Sequence, residues 1–260
     1  MKLRIFLLVV SLLPVYILTA AEKIEKTSRQ SAAPPSDAIE ISTVELAGKR
    51  FTVCRVDVRK ERLQLFHRDD TGKPFKRFGR LASWLESRGQ KLVFAMNAGM
   101  YHRDFSAVGL LVSDGRQAVP LNTADGGGNF FLKPNGVFVV TESGARVLES
   151  SEYPKLRERV VLATQSGPLL VRAGTIHPAF KPDSASRHIR NGVGVPSPDT
   201  ALFVISEAPV SFYELATLFR DKLQCPDALF LDGTISSLYA PVLKRSDSRA
   251  DLGPIIAVAE

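Results

Sequence analysis

The sequence predicts an α+β fold: a single domain built on a largely antiparallel or mixed sheet with a few covering helices. Three observations predict it. Short alternating or all-apolar runs outnumber helical patterns. Several of these runs are joined by tight glycine-containing turns rather than by the long helical crossovers of a βαβ repeat. No second Pro- or Ser-rich linker and no internal repeat interrupts residues 39–260, so one domain is expected over that range.

Residues 1–21 read as a signal peptide. Lys2 and Arg4 supply a positive start, an apolar run follows over residues 5–20, and Thr19-Ala20-Ala21 offers small residues for cleavage before Glu22. The alternative is an uncleaved N-terminal anchor, for which the run falls just short of the roughly 20 residues that span a bilayer. Either way the body is exported, to the periplasm or beyond the cell. Residues 22–38 (EKIEKTSRQSAAPPSDA) are polar and lack aromatics, so they cannot bury enough apolar surface to offset ordering, and a disordered tether is expected.

Along the domain, residues 51–58 (FTVCRVDV) alternate as a half-buried strand does, and 62–67 (RLQLFH) repeat the pattern after the charged turn Arg59-Lys60-Glu61. Phe78, Leu81, Trp84 and Leu85 fall at helical spacing, and Gly89 ends that helix. Residues 91–96 (KLVFAM) suit a strand buried on both faces. Residues 108–112 and 117–121 flank the hairpin turn Asp114-Gly115, and 130–132 and 137–140 flank Pro134-Asn135-Gly136 in the same manner. A weak helix is expected over 151–159. Strands follow at 160–163, 169–172, 201–205 and 228–231. Residues 212–222 form an amphipathic helix with Phe212, Leu215, Leu218 and Phe219 on one face.

Composition narrows the partners. The net charge of +7 suits an anionic substrate or envelope surface. The basic residues are scattered and no nucleic-acid motif occurs, so nucleic acid is not an expected partner, and a membrane is one only through an uncleaved N-terminal segment. Cys54 and Cys225 are compatible either with one disulfide or with two separate buried thiols. His67, His102, His177 and His188 lack paired-ligand spacing, so no metal site and no cofactor is expected, although calcium held by Asp125, Asp232 and carbonyl oxygens stays open. A serine hydrolase drawn from Ser166, His188 and Asp183 is disfavoured, because Thr164 and Pro168 stand where a nucleophile elbow needs glycine.

The chemistry concentrates in strand ends that finish in polar residues and glycine: MNAGMY (96–101), GNFFLKPNGVF (128–138), ATQSGPLLV (163–171), SRHIRNGVGV (186–195) and LDGTISSLY (231–239). Each piece alone is ordinary turn chemistry. Taken together, in this order and spacing, they resemble the phosphodiester glycosidase family, the α-N-acetylglucosaminidase domain that acts on N-acetylglucosamine-1-phosphodiesters, and within it a bacterial envelope branch. The resemblance implies a hydrolase that cuts the glycosidic bond of a sugar-1-phosphodiester in an envelope or extracellular glycan. Such a substrate already carries a good leaving group, so charge stabilisation on the phosphate and a carboxylate near the anomeric carbon matter most. On that basis Asp232 is the expected carboxylate, with Glu207, and Asp104 beside His102, in reserve. Arg187 and Arg190 are the expected phosphate clamp. Asn97, Gly99, Asn129, Asn135, Gln165, Ser166, Asn191, Gly233, Ser236 and Ser237 are the expected substrate-binding residues. The competing reading from another class is a glycan-binding or assembly module without catalysis.

Overall fold

The structure, a computed structural model, describes residues 38–233 and 235–260; the expected signal peptide and nearly all of the expected tether lie outside the described residues. Three antiparallel sheets make up the domain. The largest has seven strands, in spatial order Ile39–Leu46, Lys49–Asp57, Thr200–Ser206, Asn191–Ser197, Asp227–Phe230, Leu169–Arg172 and Thr175–Ile176. A five-stranded sheet runs Arg245–Ser246, Leu238–Ala240, Leu92–Asn97, Ile255–Ala259 and Leu63–Phe66. A second five-stranded sheet runs Arg116–Val119, Leu111–Ser113, Val160–Ser166, Gly136–Thr141 and Gly144–Glu149. The protein is therefore more sheet-rich than an α+β description suggests: the two α-helices among the described residues are short, and no described helix is long and apolar enough to cross a membrane.

One core joins all three sheets. Phe203 and Ile205, Phe94 and Met96, and Phe138 and Val140 all meet in it, one pair from each sheet. Their neighbours in sequence face the other way, as the two-residue period of a strand requires. Val204 packs under the helix Phe212–Thr217, Ala95 under the helix Phe78–Glu86, and Val137 and Val139 against Tyr153 and Leu156. Both faces of most strands are thus covered, which is why 91–96 and 201–205 read as apolar runs rather than as alternations.

Several expectations shift. Residues 130–132 are not a strand but part of a 3₁₀ turn, Asn129–Phe131, and the hairpin partner of Gly136–Thr141 is Gly144–Glu149. The helix expected over 151–159 reduces to a single turn, Tyr153–Lys155, as Pro154 in its first turn allows. Residues 191–197, which were not expected as a strand, form a central buried one. Gly192 and Gly194 permit it, because a Cβ at Gly194 would stand 2.6 Å from the Phe219 ring and 2.7 Å from Cys225 Sγ. The helix Phe212–Thr217 continues into a π-helical turn, Leu218–Lys222. Cys54 and Cys225 are free, buried thiols in separate clusters on opposite faces of the seven-stranded sheet, so they form no disulfide.

Candidate active site

Asn97, at the end of Leu92–Asn97, meets Asn191, at the start of Asn191–Ser197, and both side chains are fully buried. Asn191 Nδ2 donates to Asn97 Oδ1 at 3.0 Å and to the Asn97 carbonyl at 3.1 Å. The Ser237 N–H donates to Asn97 Oδ1, and the Asp232 N–H donates to Asn191 Oδ1. These two backbone donors fix the orientation of both amides, since a flip would set N–H against N–H. The pair therefore clamps both ends of the turn 232–237 that follows the strand Asp227–Phe230. Ser236 Oγ donates to the Asp232 carbonyl at 2.7 Å, and Ser237 Oγ to the Ile235 carbonyl. Among the described residues, Asn97 Nδ2 is the one buried side-chain polar atom with no hydrogen-bond partner. Such an unmade bond costs about 1–3 kcal/mol and calls for an explanation in function.

Asp232 is half-buried on this turn. Burial, and then the negative charges of Asp232 and Asp251, push the Tyr101 phenol up. Tyr101 is held by its hydroxyl donating to the Asp251 carbonyl and by stacking on Phe105 at 5.3 Å. Arg190, only 1% exposed, also approaches this turn. Its guanidinium sits 3.7 Å from the Phe212 ring centroid, Nε donates to the Val210 carbonyl at 2.9 Å, and Nη2 to the Ser186 carbonyl. Its Nη1 lies 3.6 Å from where a Cβ on Gly233 would stand. Burial lowers its pKa to about 10, still charged at neutral pH. The fold thus holds a buried cation close to Gly233, withdrawn from solvent rather than placed to grip a ligand from it.

The remaining expected residues separate by their bonds. Arg187 is at the surface, with Nη1 2.5 Å from Glu214 Oε2, so a carboxylate already answers its charge. Gln165 is buried with all its polar positions engaged: Oε1 accepts from the Leu110 and Asn122 N–H groups, and Nε2 donates to the Asn122 carbonyl and to Ser150 Oγ. No polar atom of that side chain is left for a substrate. Ser166 Oγ donates to the Leu231 carbonyl at 2.6 Å, which spends the proton a nucleophilic serine needs and anchors the strand end before Asp232. Asn135 is buried and holds the Phe130 carbonyl, whereas Asn129 is exposed. Gly99 lets the 97–101 segment lie close over the strand Val160–Ser166, because a Cβ there would be 2.9 Å from Thr164 Oγ1.

The reserve groups are structural. Glu207 accepts from Thr52 Oγ1 and from Arg245. Asp104 accepts from the N–H and hydroxyl of Ser106 in an exposed turn. Asp125 is exposed and paired with Lys133 Nζ, a cation that competes with any metal. Sequence reasoning missed Tyr101 and Phe212. Tyr101 lies inside the MNAGMY stretch, but nothing in one dimension couples it to the charge of residue 232. Phe212 was visible only as part of an apolar helix face.

The site, a set of buried amides, a half-buried carboxylate and a sequestered guanidinium where three antiparallel sheets meet, suits a hydroxyl- or phosphate-bearing ligand. The family model described as phosphodiester glycosidase matches residues 90–258, a range that contains every residue of this site, and the chain belongs to that family. It is 34% identical over 207 residues to the uncharacterized protein YigE of Escherichia coli (strain K12), covering 80% of each chain. Its fold is similar to the catalytic domain of zebrafish N-acetylglucosamine-1-phosphodiester alpha-N-acetylglucosaminidase, a structure described as auto-inhibited by its pro-peptide (TM-score 0.61, 14% identity, 89% of this chain and 85% of that one). A hypothetical protein from Synechocystis also shares it (TM-score 0.50, 15% identity, 85% and 61%).

Proposed function

We propose that this chain is an exported hydrolase that cleaves the glycosidic bond of a sugar-1-phosphodiester of the N-acetylglucosamine type. The observation that carries the proposal is the Asn97–Asn191 clamp, which presents Asp232 on a braced turn in front of a buried Arg190. In this reading Asp232 acts at the anomeric carbon as nucleophile or general base. The C–O bond to that carbon breaks, its electron pair leaves on the phosphate oxygen, and the oxygen of water ends on the sugar. The phosphate is a good leaving group, so little general-acid help is required. Arg190 holds the turn electrostatically while charge redistributes. Export, to the periplasm or beyond, rests on the Lys2/Arg4 start and the apolar run 5–20.

The test is hydrolysis of an N-acetylglucosamine phosphodiester in ¹⁸O-labelled water by protein lacking residues 1–37. Label in the free sugar is the expected result, and Asp232→Asn should lower kcat by ~10²-fold or more. Label in the phosphate would mean P–O cleavage and sink the assignment of Asp232. Absence of product over a panel of sugars, with binding retained, would make the protein a glycan-binding module.

A further inference from the structure

Three rings stack in one column that ends on the Arg190 guanidinium. The His177 ring lies 4.7 Å from that of Phe180, and Phe180 stacks on Phe212 at 4.9 Å with 12° between their planes. The guanidinium of Arg190 lies over the far end, 3.7 Å from the Phe212 ring centroid, and Phe212 meets Phe230 edge-on at 4.8 Å. The column therefore carries an ionisable ring at one end and, at the other, the cation that approaches Gly233.

His177 is only 5% exposed, and both of its ring nitrogens are committed. Nε2 lies 3.1 Å from the Lys133 carbonyl, which can only accept, so Nε2 carries the proton. Nδ1 accepts from the Ala179 N–H at 3.2 Å, so it carries none. The Phe180 N–H donates to the His177 carbonyl, which closes the 177–180 turn around the ring. Only the neutral Nε2–H tautomer satisfies this set. A second proton on Nδ1 would point N–H at N–H, break the Ala179 bond and leave a cation buried.

The charged groups on the elements packed around His177 offer such a cation no partner. Lys133 turns its ammonium to Asp125, and Arg172, which lines a hollow with His177, is paired with Glu149 and Glu152. On the side of Phe180 and Phe212, Glu214 is paired with Arg187, and Lys181 and Tyr213 carry no negative charge at neutral pH. Burial lowers the His177 pKa, and the bond to the Lys133 carbonyl opposes it only in part.

We propose that His177 is a positioning residue: in its neutral form it locks the Phe180–Phe212 column against Arg190, and protonation releases the lock. The site is thereby assembled at neutral pH and loosened in acid. Because the folded protein takes up this proton less readily than the unfolded chain, the stability that neutral His177 supplies is present above the unfolded value of about 6.5 and is lost as pH falls below it. The effect on turnover rests on the phosphodiester glycosidase reading; the coupling of His177 to Arg190 does not.

One NMR pH titration reads both ends of the column. The His177 ring and the Arg190 Nε–H, which donates to the Val210 carbonyl within the ring current of Phe212, are followed in wild type, His177→Gln and Phe180→Leu. In wild type the Arg190 signal should move with the same apparent pKa as the His177 ring. It should stay flat in His177→Gln, which offers one donor and one acceptor and does not titrate, and should no longer follow His177 in Phe180→Leu. An Arg190 signal that stays fixed while His177 titrates, or that moves alike in His177→Gln, overturns the proposal. So does a His177 ring that stays neutral until the protein unfolds. Should a variant not fold, the wild-type titration decides alone. On a sugar phosphodiester, kcat of wild type should fall about fivefold more than that of His177→Gln between about pH 7.5 and about pH 5. Identical pH profiles would sink the positioning role. Coupled NMR shifts in a protein that hydrolyses no diester would sink the enzyme reading and leave the coupling standing.

Discussion

Gln165 shows how a residue that reads as a ligand-binding amide is consumed by its own fold. Its side chain replaces missing strand partners for the segments around Leu110 and Asn122, two stretches far apart from it in sequence. Gln165→Leu keeps the volume and leaves two backbone N–H groups unpaired, one of them buried, so a loss of about 2–4 kcal/mol is expected in chemical denaturation. A loss below 1 kcal/mol would return Gln165 to the list of substrate contacts. Asn97 and Asn191 look no different from Gln165 in sequence. What distinguishes them is that their bonds converge on the Asp232 turn and leave one Asn97 donor unmet. Residue type was legible at all three positions; the destination of each hydrogen bond was not, because partners lie 15 to 140 residues away.

At the scale of elements, the helix Phe212–Thr217 matters because it carries the ring under Arg190. It begins with a capping box: Ser211 accepts from the Glu214 N–H, and Glu214 accepts from the Ser211 N–H. Ser211→Ala should cost about 1 kcal/mol, measured by thermal unfolding. Burial alone would raise the Glu214 carboxyl, but hydrogen bonds from Arg187 and the Ser211 N–H outweigh it and hold the pKa below the usual value. A depressed folded pKa contributes stability that is present above the unfolded value of about 4.3 and is lost as pH falls through the folded one. The difference in stability between wild type and Glu214→Gln should therefore shrink as pH drops below about 4. A difference that stays constant with pH would remove the ionised cap from the account. Strands with strong apolar runs were legible because burial on both faces selects them. Asn191–Ser197 was not, because its glycines are placed by the neighbours Phe219 and Cys225 rather than by any local preference.

For the whole molecule, one core shared by three sheets explains why a polar cluster can be held so tightly. Two sheets contribute strand ends to the site, at Asn97 and Asn191, the third props it through Ser166, and none can shift without disturbing the common packing of Phe94, Phe138 and Phe203. If the chain is exported as proposed, mature protein from the native host should begin at Glu22 by N-terminal sequencing. Recovery of intact Met1 in the membrane fraction would favour the anchor.

By itself the sequence determined a sheet-based domain, largely antiparallel or mixed, most of its buried strands, and the family. Periodicity, turn residues and motif order are local or linear properties, and they survive without coordinates. Only the tertiary structure decided which of those polar residues work together. It separated the Asn97–Asn191–Asp232 cluster from the struts Gln165, Ser166 and Asn135, withdrew Arg190 from solvent, and neutralised Arg187. Those outcomes depend on which distant groups share a few ångströms of space, and hydrogen bonding and desolvation act only at that range.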